Sequence, residues 1–171
     1  MALGVVTCAA TGGTEQTFSD LCRCLTAAGW RVVGTLQQSH HGTTGRRCDM
    51  DVRILPDGPV IRINQKLGPG ARGCRLDASA LETAVAAVER EFARGADLLI
   101  VNKFGKHEAA GRGFRALIAE ALLQDIPVIC GLRDLNQATF EDFAGSAAEY
   151  LQNDPEILEN WVNDVAALRV A

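Results

Sequence analysis

The sequence predicts an α/β fold with a mostly parallel sheet, and three observations support this. Short apolar runs of strand length alternate along the chain with segments of helical periodicity. A strand, a turn, a helix and a second strand follow one another within the first 36 residues, which is the order of a right-handed parallel crossover. Of the 171 residues 47% are hydrophobic, which is ample for a packed core.

The first crossover consists of a strand, a helix that ends at a glycine, and a second strand. Leu3 to Cys8 is apolar and partly β-branched, and it ends at a glycine-containing turn, so it is predicted to be a strand. Thr14 to Ala28 has one apolar face at helical spacing, and Gly29 follows in the usual place for a helix C-terminus. Arg31 to Leu36 is predicted to be the second strand.

A β-hairpin is predicted to interrupt this succession at about residues 50–63. Pro56 to Pro59 reads Pro-Asp-Gly-Pro and separates two strand-like runs, which is a hairpin pattern. The preceding residues 37–49 are polar and rich in glycine, so a mobile loop is expected there. After the hairpin, either Asp77 or Ser79 caps a helix that reaches to about residue 94.

The second half of the chain continues the alternation of strands and helices. The predicted elements are a strand at 96–101, a helix at 114–123, a strand at 128–132, a helix around Phe140 and a C-terminal helix at about 155–168. The last helix is expected to bury a stripe formed by Ile157, Trp161, Val165 and Leu168. The sequence shows no internal repeat and no linker, so residues 1–171 are expected to form one domain.

The net charge of −4 is an average over two very different parts of the chain. Residues 46–75 and 103–115 hold 11 of the 17 Lys and Arg residues against four acids, a local charge of +7 that leaves −11 elsewhere. Such segregation can build a cationic cleft on an acidic body. The alternative is a set of scattered, solvated surface charges.

The sequence indicates a reduced, cytoplasmic protein without a membrane segment. No stretch approaches the roughly 20 apolar residues of a membrane helix, and the N-terminus has no basic region of the signal-peptide type. The six cysteines form no C-x-x-C pair, so all are expected to be reduced. A soft-metal site remains conceivable, although its spacing matches no structural zinc signature. Its candidate ligands are Cys48, Cys74, His40 and His41.

A glycine-rich turn after the first strand is the first of three candidate anion sites. The carboxyl ends of parallel strands are where such folds bind ligands, and Gly12, Gly13 and Thr14 follow the first strand. Free backbone N–H groups at the start of a helix would face the ligand. A phosphate loop of the G-x-x-x-x-G-K-[ST] type would also carry a lysine, which is absent here. An anion site and a plain connecting turn therefore both remain open.

Residues 64–75 form the second candidate, an irregular segment that combines glycines with cations. Glycines let the backbone approach a ligand closely, and cationic side chains donate hydrogen bonds to phosphate or another tetrahedral oxyanion. The residues expected to bind are Lys66, Gly68, Gly70, Arg72, Gly73 and Arg75. A flexible surface loop is the alternative interpretation.

The third candidate, residues 102–115, follows the predicted strand at 96–101 and could converge with the second on one anion. Its candidate cations are Lys103, Lys106 and Arg112. Glu108 is the candidate for positioning water if the protein hydrolyses a nucleotide, whereas His107 is expected to be a surface histidine. Asp49 and Asp51, at the start of the hairpin, could hold a hydrated Mg²⁺ or pair with these cations, and pairing is the preferred interpretation.

Three motifs carry a resemblance to a known family over approximately residues 3–150. They are Cys48-Asp-Met-Asp51, Gln65-x-Leu-Gly-Pro-Gly-Ala-Arg-Gly-Cys-Arg-Leu-Asp77 and Val101-Asn-Lys-Phe-Gly-Lys106. They resemble a bacterial domain-of-unknown-function family that is often encoded beside molybdate-transport genes. That family is similar to P-loop nucleoside triphosphatases of the thermophilic nucleotide-phosphatase type. The resemblance implies a three-layer, P-loop-NTPase-like, mostly parallel sheet with an inserted β-hairpin.

The chain also departs from those triphosphatases at the residues that hold phosphate and metal. They carry an Asp-Glu-Ile-Gly-Lys-x-Glu segment, whereas this chain has Asn102 and Lys103 in place of Asp-Glu, with Gly105, Lys106 and Glu108 matching. The lysine of the Walker A loop is missing as well. Because these changes remove the phosphate-gripping Lys and the Mg²⁺-orienting carboxylate, the resemblance implies a degenerate, more cationic site.

Three functional hypotheses follow. The first is an oxyanion-binding protein for metal-oxyanion homeostasis, with molybdate or tungstate as the sharpest candidate and a nucleotide phosphate next. The alternative is a divergent Mg²⁺-dependent nucleoside triphosphatase or nucleotide-binding protein that uses Glu108. The third is an interaction protein whose acidic C-terminal helix, with Trp161, docks on a second copy of the chain or on another partner, and a homo-oligomer is expected. Nucleic-acid binding is disfavoured, because the basic segments have few interleaved aromatic residues.

Overall fold

A single sheet organises the chain in the computed structural model, which describes residues 1–8, 13–40, 49–65 and 76–170. Seven strands form within these ranges: β1 (Leu3–Cys8), β2 (Val32–His40), β3 (Asp49–Leu55), β4 (Val60–Arg62), β5 (Leu98–Phe104), β6 (Val128–Arg133) and β7 (Ala148–Leu151). They lie in the order β4-β3-β2-β5-β6-β1-β7. The strands from β2 through β7 in this order pair in parallel, so their carboxyl ends share one edge.

Helices cover both faces of the sheet. The described helices are α1 (Glu15–Ala27), α2 (Ala78–Phe92), α3 (Lys106–Ala109), α4 (Arg115–Leu123), α5 (Gln137–Ala144) and α6 (Pro155–Val170). α1 and α6 contribute to the apolar core on one face, and α2, α4 and α5 contribute to the core on the other. The predicted three-layer α/β fold is therefore confirmed. None of the described helices is both long enough and apolar enough to span a membrane.

The predicted hairpin is present at one edge of the sheet. β3 pairs antiparallel with β4 on one side and with β2 on the other, so the insertion extends the sheet rather than standing apart from it. The expected loop over residues 37–49 is wrong for its first part, because β2 continues to His40. Gln38 pairs with Asp51 in that extension. Backbone pairing with β3 keeps these polar residues in a strand although they lack an apolar alternation.

Two helix predictions are settled by local contacts. Asp77, and not Ser79, is the N-cap of α2, because its carboxylate accepts a hydrogen bond from the Ala80 N–H at 3.0 Å. In α6 the predicted buried stripe is wrong in part, since Leu158 and Val162 are buried beside Trp161. Ile157 is 37% exposed and Leu168 is 80% exposed. Trp161 donates from Nε1 to the Glu149 carboxylate at 2.7 Å, which fixes the rotation of the helix against β7.

Candidate functional site

A cavity of about 610 Å³ opens at the carboxyl edge of the sheet, on the face that α2 and α4 cover. Much of its lining is apolar, formed by Val52, Ile63, Leu76, Leu81, Phe114 and Leu135. Among the described residues, the polar and charged lining consists of Thr35, Gln37, Asn102, Lys103, Lys106, His107, Glu108, Arg133 and Asn136. The volume lies within the range of small-molecule and cofactor sites, which are mostly apolar with a few placed polar groups.

The floor of the cavity contains a gap between β2 and β5. These strands pair only from Val32 to Gly34, where Gly34 has φ +134° and lies so close to the Ile100 carbonyl that no Cβ would fit. Beyond that point a side chain bridges the strands. Asn102 accepts from the Gln37 N–H at 3.3 Å and donates to the Gln37 side-chain oxygen at 2.9 Å. Amide side chains therefore continue the connection where the backbone ladder ends.

Three cations of the described part of the chain lie around this cavity. Lys103 is half-buried at the end of β5, whereas Lys106 and Arg133 are exposed at the rim. Within the part of the chain that the structure describes, Lys106 and Arg133 form no ion pair. Glu108 is the one acid among the described lining residues. The rim is therefore positively charged and suited to an anionic group.

The carboxylate of Glu108 is already engaged by the backbone. The residue is only 3% exposed, and Oε2 accepts from the Gly105 N–H at 2.9 Å while Oε1 accepts from the Phe114 N–H at 3.3 Å. These bonds tie both ends of the segment that carries α3 to one side chain. Gly113, at φ +60°, packs so closely on Oε1 that a Cβ would overlap it. In this structure the predicted water-positioning residue anchors a turn.

His107 is a buried part of the cavity wall, so the expectation of a surface histidine is wrong. Its side chain is 7% exposed, and Nε2 lies 2.8 Å from Oε1 of Glu82 on α2. The same carboxylate oxygen accepts a hydrogen bond from the Gly113 N–H at 3.0 Å. The contact holds α3 against α2, and it depends on a residue 25 positions earlier in the chain.

The turn before α1 lies next to the end of β5, although its described residues do not line the cavity. Thr14 is the N-cap residue of α1 and is 4% exposed. A Cβ on Gly131 would lie 3.2 Å from the Thr14 hydroxyl and against the Asn102 carbonyl oxygen, so the three residues are close neighbours. Aligned on the phosphate-loop pattern, Gly13 occupies the position of the lysine and Thr14 that of the Ser or Thr.

Several predicted site residues lie outside the described ranges, and the interpretation of each remains a prediction. They are Gly12, Lys66, Gly68, Gly70, Arg72, Gly73 and Arg75, together with the metal candidates His41, Cys48 and Cys74 and the side chains of His40 and Asp49. The chain on both sides of residues 66–75 is described, and Ile63 and Leu76 line the cavity. Asn64 and Leu76 form a backbone bridge that joins the two ends of this segment.

Two other predicted residues are not part of the cavity. Arg112 is exposed and does not line it, whereas Lys103 and Lys106 do. Asp51 is 8% exposed and its carboxylate lies 3.3 Å from the guanidinium of Arg62 on β4, a cation that is not among the predicted partners. No cluster of three or more metal-ligating side chains occurs among the described residues.

Three groups of residues at this site were not predicted from the sequence. They are Thr35 and Gln37 from β2, Glu82 from α2, and Arg133, Leu135 and Asn136 from the end of β6 and the segment after it. Of these residues, Arg133 could have been found from its position in the sequence, because it follows a predicted strand just as Lys103 does. Leu135 is 92% exposed at this site, which no apolar pattern would indicate.

Solved structures of two other proteins share this fold. The crystal structure of THEP1 from the hyperthermophile Aquifex aeolicus is 15% identical, with a TM-score of 0.63, and 98% of each chain is covered. The solution structure of a human cancer-related nucleoside triphosphatase is 19% identical, with a TM-score of 0.64, and 98% of this chain and 97% of that one are covered. The chain therefore has a P-loop nucleoside-triphosphatase-like fold, as the resemblance implied.

Sequence comparison adds a family and one curated relative. Residues 3–161 match the model of a family described as protein of unknown function (DUF2478). The molybdenum import ATP-binding protein ModC 2 of Bradyrhizobium diazoefficiens is 34% identical over 153 residues, which cover 90% of this chain. That stretch is 17% of the relative, so the chain spans about a sixth of its length.

Proposed function

The chain belongs to the DUF2478 family, and from its geometry we propose that it binds a nucleotide-like ligand, meaning a heterocycle that bears phosphate. In this proposal the apolar part of the cavity takes the heterocycle and the cationic rim takes the phosphate. The P-loop-like fold supports the proposal at the level of architecture alone.

The size and lining of the cavity carry this proposal. A tetrahedral oxyanion has roughly the volume of three waters, about 90 Å³ at about 30 Å³ per water. The cavity is about 610 Å³ and its described lining includes six apolar side chains, four of them from the hairpin, α2 and the segments next to them. An oxyanion alone would leave most of that apolar surface without a partner. A ligand with both an apolar ring and an anionic group matches the whole lining.

We propose binding without efficient hydrolysis. Gly13 replaces the lysine that would grip phosphate, and Asn102, which replaces a carboxylate, is hydrogen-bonded to Gln37. The carboxylate of Glu108 already accepts two backbone N–H groups. Each of these positions supports a ligand-holding site over a hydrolytic one, and Mg²⁺-dependent phosphate release close to background is the expected result.

A binding panel tests the proposal. Adenine and guanine nucleotides are added with and without Mg²⁺, and thermal shift and isothermal titration calorimetry follow binding. A ligand at 100 times its Kd is expected to stabilise the fold by about 2.7 kcal/mol. The variants Lys106→Gln and Arg133→Gln each remove one rim cation and should weaken binding by about 3- to 30-fold. Arg90→Gln, an exposed cation on α2, is the matched control. No binding of any nucleotide would refute the proposal.

A molybdate or tungstate site is the second candidate, and the sequence relationship favours it. The relative named as a molybdenum import ATP-binding protein carries a region 34% identical to this chain. In this case the rim cations would join the predicted cations of residues 66–75 around an oxyanion. Thermal shifts with molybdate, tungstate, phosphate and sulfate test it. Equal indifference to all four would eliminate this candidate and leave the nucleotide proposal standing.

A further inference from the structure

His107 is the buried titratable side chain of the cavity wall for which the proposed function gives no role. Its side chain is 7% exposed, it lines the cavity, and one ring nitrogen, Nε2, contacts Glu82. The other nitrogen, Nδ1, has no hydrogen-bond partner anywhere in the described ranges. Because none of the described buried side-chain nitrogen or oxygen atoms lacks a hydrogen-bond partner, the unpartnered Nδ1 keeps some solvent-accessible surface, and a ligand N–H that reaches it takes the place of water.

The contact with Glu82 fixes which nitrogen carries the proton. An ionised carboxylate only accepts hydrogen bonds, and its Oε1 already accepts from the Gly113 N–H. His107 must therefore donate from Nε2 at 2.8 Å. In neutral imidazole the proton is then on Nε2, and Nδ1 carries a lone pair. The pair thus presents a fixed hydrogen-bond acceptor at the cavity wall.

The acceptor on His107 complements the cationic side chains of the cavity. Lys103, Lys106 and Arg133 have only donors to offer, which suit phosphate oxygens. Leu81 and Phe114 line the same cavity as His107, so apolar side chains and the acceptor are both available to a ligand there. A ligand that uses the cations and the acceptor together has an anionic group and an N–H donor on its ring.

We propose that Nδ1 of His107 accepts a hydrogen bond from a ring or exocyclic N–H of the bound heterocycle, and that Glu82 is the positioning residue that holds the imidazole in this tautomer. The proposal rests on the proposed function and names the part of the ligand that the cavity recognises. It makes His107 a ligand-binding residue. The cavity would then prefer a nucleotide over simple phosphate or another oxyanion, because those anions have no ring N–H to donate.

Two isosteric variants separate the acceptor from the packing of the ring. His107→Gln keeps an amide donor near the position of Nε2, so it can still bond to Glu82, but it has no acceptor near the position of Nδ1. His107→Asn does the reverse, since its amide oxygen reaches about as far as Nδ1 and the bond to Glu82 is lost. ADP and GDP are titrated by calorimetry into the full chain and both variants, below the melting temperature of each.

The expected result is that His107→Gln weakens nucleotide binding about tenfold, whereas His107→Asn stays within about threefold of the unaltered chain. Equal affinities in all three proteins, or equal losses in both variants, would overturn the inference while leaving the proposed function intact. Failure of the unaltered chain to bind either nucleotide would overturn the proposed function and this inference together.

Discussion

Replacing Glu108 with Gln tests whether this side chain holds the fold together at the site. In the folded protein its two oxygens accept from the Gly105 and Phe114 N–H groups at 2.9 and 3.3 Å, and the residue is 3% exposed. The amide oxygen of glutamine can accept from one of these N–H groups, but its NH₂ group then faces the other N–H. Two donors cannot form a hydrogen bond with each other. One charge-assisted bond is lost and the other becomes neutral, so we expect a loss of about 2–4 kcal/mol in the free energy of unfolding.

For a chain of this length each kcal/mol corresponds to about 2–4 °C, so the melting temperature should fall by about 4–16 °C. Urea unfolding followed by far-UV circular dichroism measures the free energy directly. Glu89→Gln, an exposed position on α2, is the matched control and should change it by less than about 0.5 kcal/mol. If Glu108→Gln is as stable as this control, the anchoring role is wrong, and Glu108 is again a candidate catalytic residue.

Three further predictions concern other positions. Gly34→Ala should lower the free energy of unfolding by at least about 3 kcal/mol, because its Cβ would overlap a carbonyl of β5. Gly95→Ala, with φ +100° and open space around it, should lower it by about 1–2 kcal/mol. Equal losses for the two variants in urea unfolding would contradict this. Glu159 raises the pKa of the exposed Cys24 thiol, first through a hydrogen bond and then through its negative charge. Glu159→Gln should therefore increase the thiolate fraction and speed alkylation of Cys24 at pH 8, and an unchanged rate by peptide mass spectrometry would count against it. Leu135→Ser should weaken nucleotide binding about fivefold, from roughly 1 kcal/mol of lost apolar contact, without lowering the melting temperature.

Elements with a strong local pattern were predictable from the sequence. In α1, Phe18 and Leu21 recur at helical spacing and both are fully buried. In the hairpin, Pro56 to Pro59 supplies turn residues between two short strands. Here the local preference and the tertiary packing agree, so periodicity and turn chemistry identified the elements.

Elements that depend on distant partners were not predictable. The end of β2 is polar and becomes a strand only because β3 pairs with it, as in the pair Gln38 and Asp51. β7 has four residues and no clear alternation, and parallel pairing with β1 defines it. The rotation of α6 was misjudged because Ile157 and Leu158 are adjacent apolar residues, and only the packing against the sheet decides which one is buried.

The same distinction applies to the site. Lys103 and Lys106 were predictable, because they follow an apolar strand and ligands bind at the carboxyl ends of such strands. The burial of His107 was not, since it is created by Glu82 on another helix. Nor could the sequence indicate that Leu135, an exposed apolar residue, faces the same cavity. Local chemistry identified two of the three described cations, but the apolar half of the cavity arises from tertiary structure.

The contact between β2 and β5 changes from backbone to side chains along the floor of the cavity. From Val32 to Gly34 the strands pair through their backbones, whereas beyond Gly34 the contacts include two hydrogen bonds between Gln37 and Asn102 and one from the Asn102 N–H to the Thr35 hydroxyl at 3.5 Å. Because side chains make these contacts, a substitution at Gln37 or Asn102 changes the polar lining of the cavity without removing a backbone pair of the sheet. The fold and the ligand preference of this edge can therefore vary independently of each other.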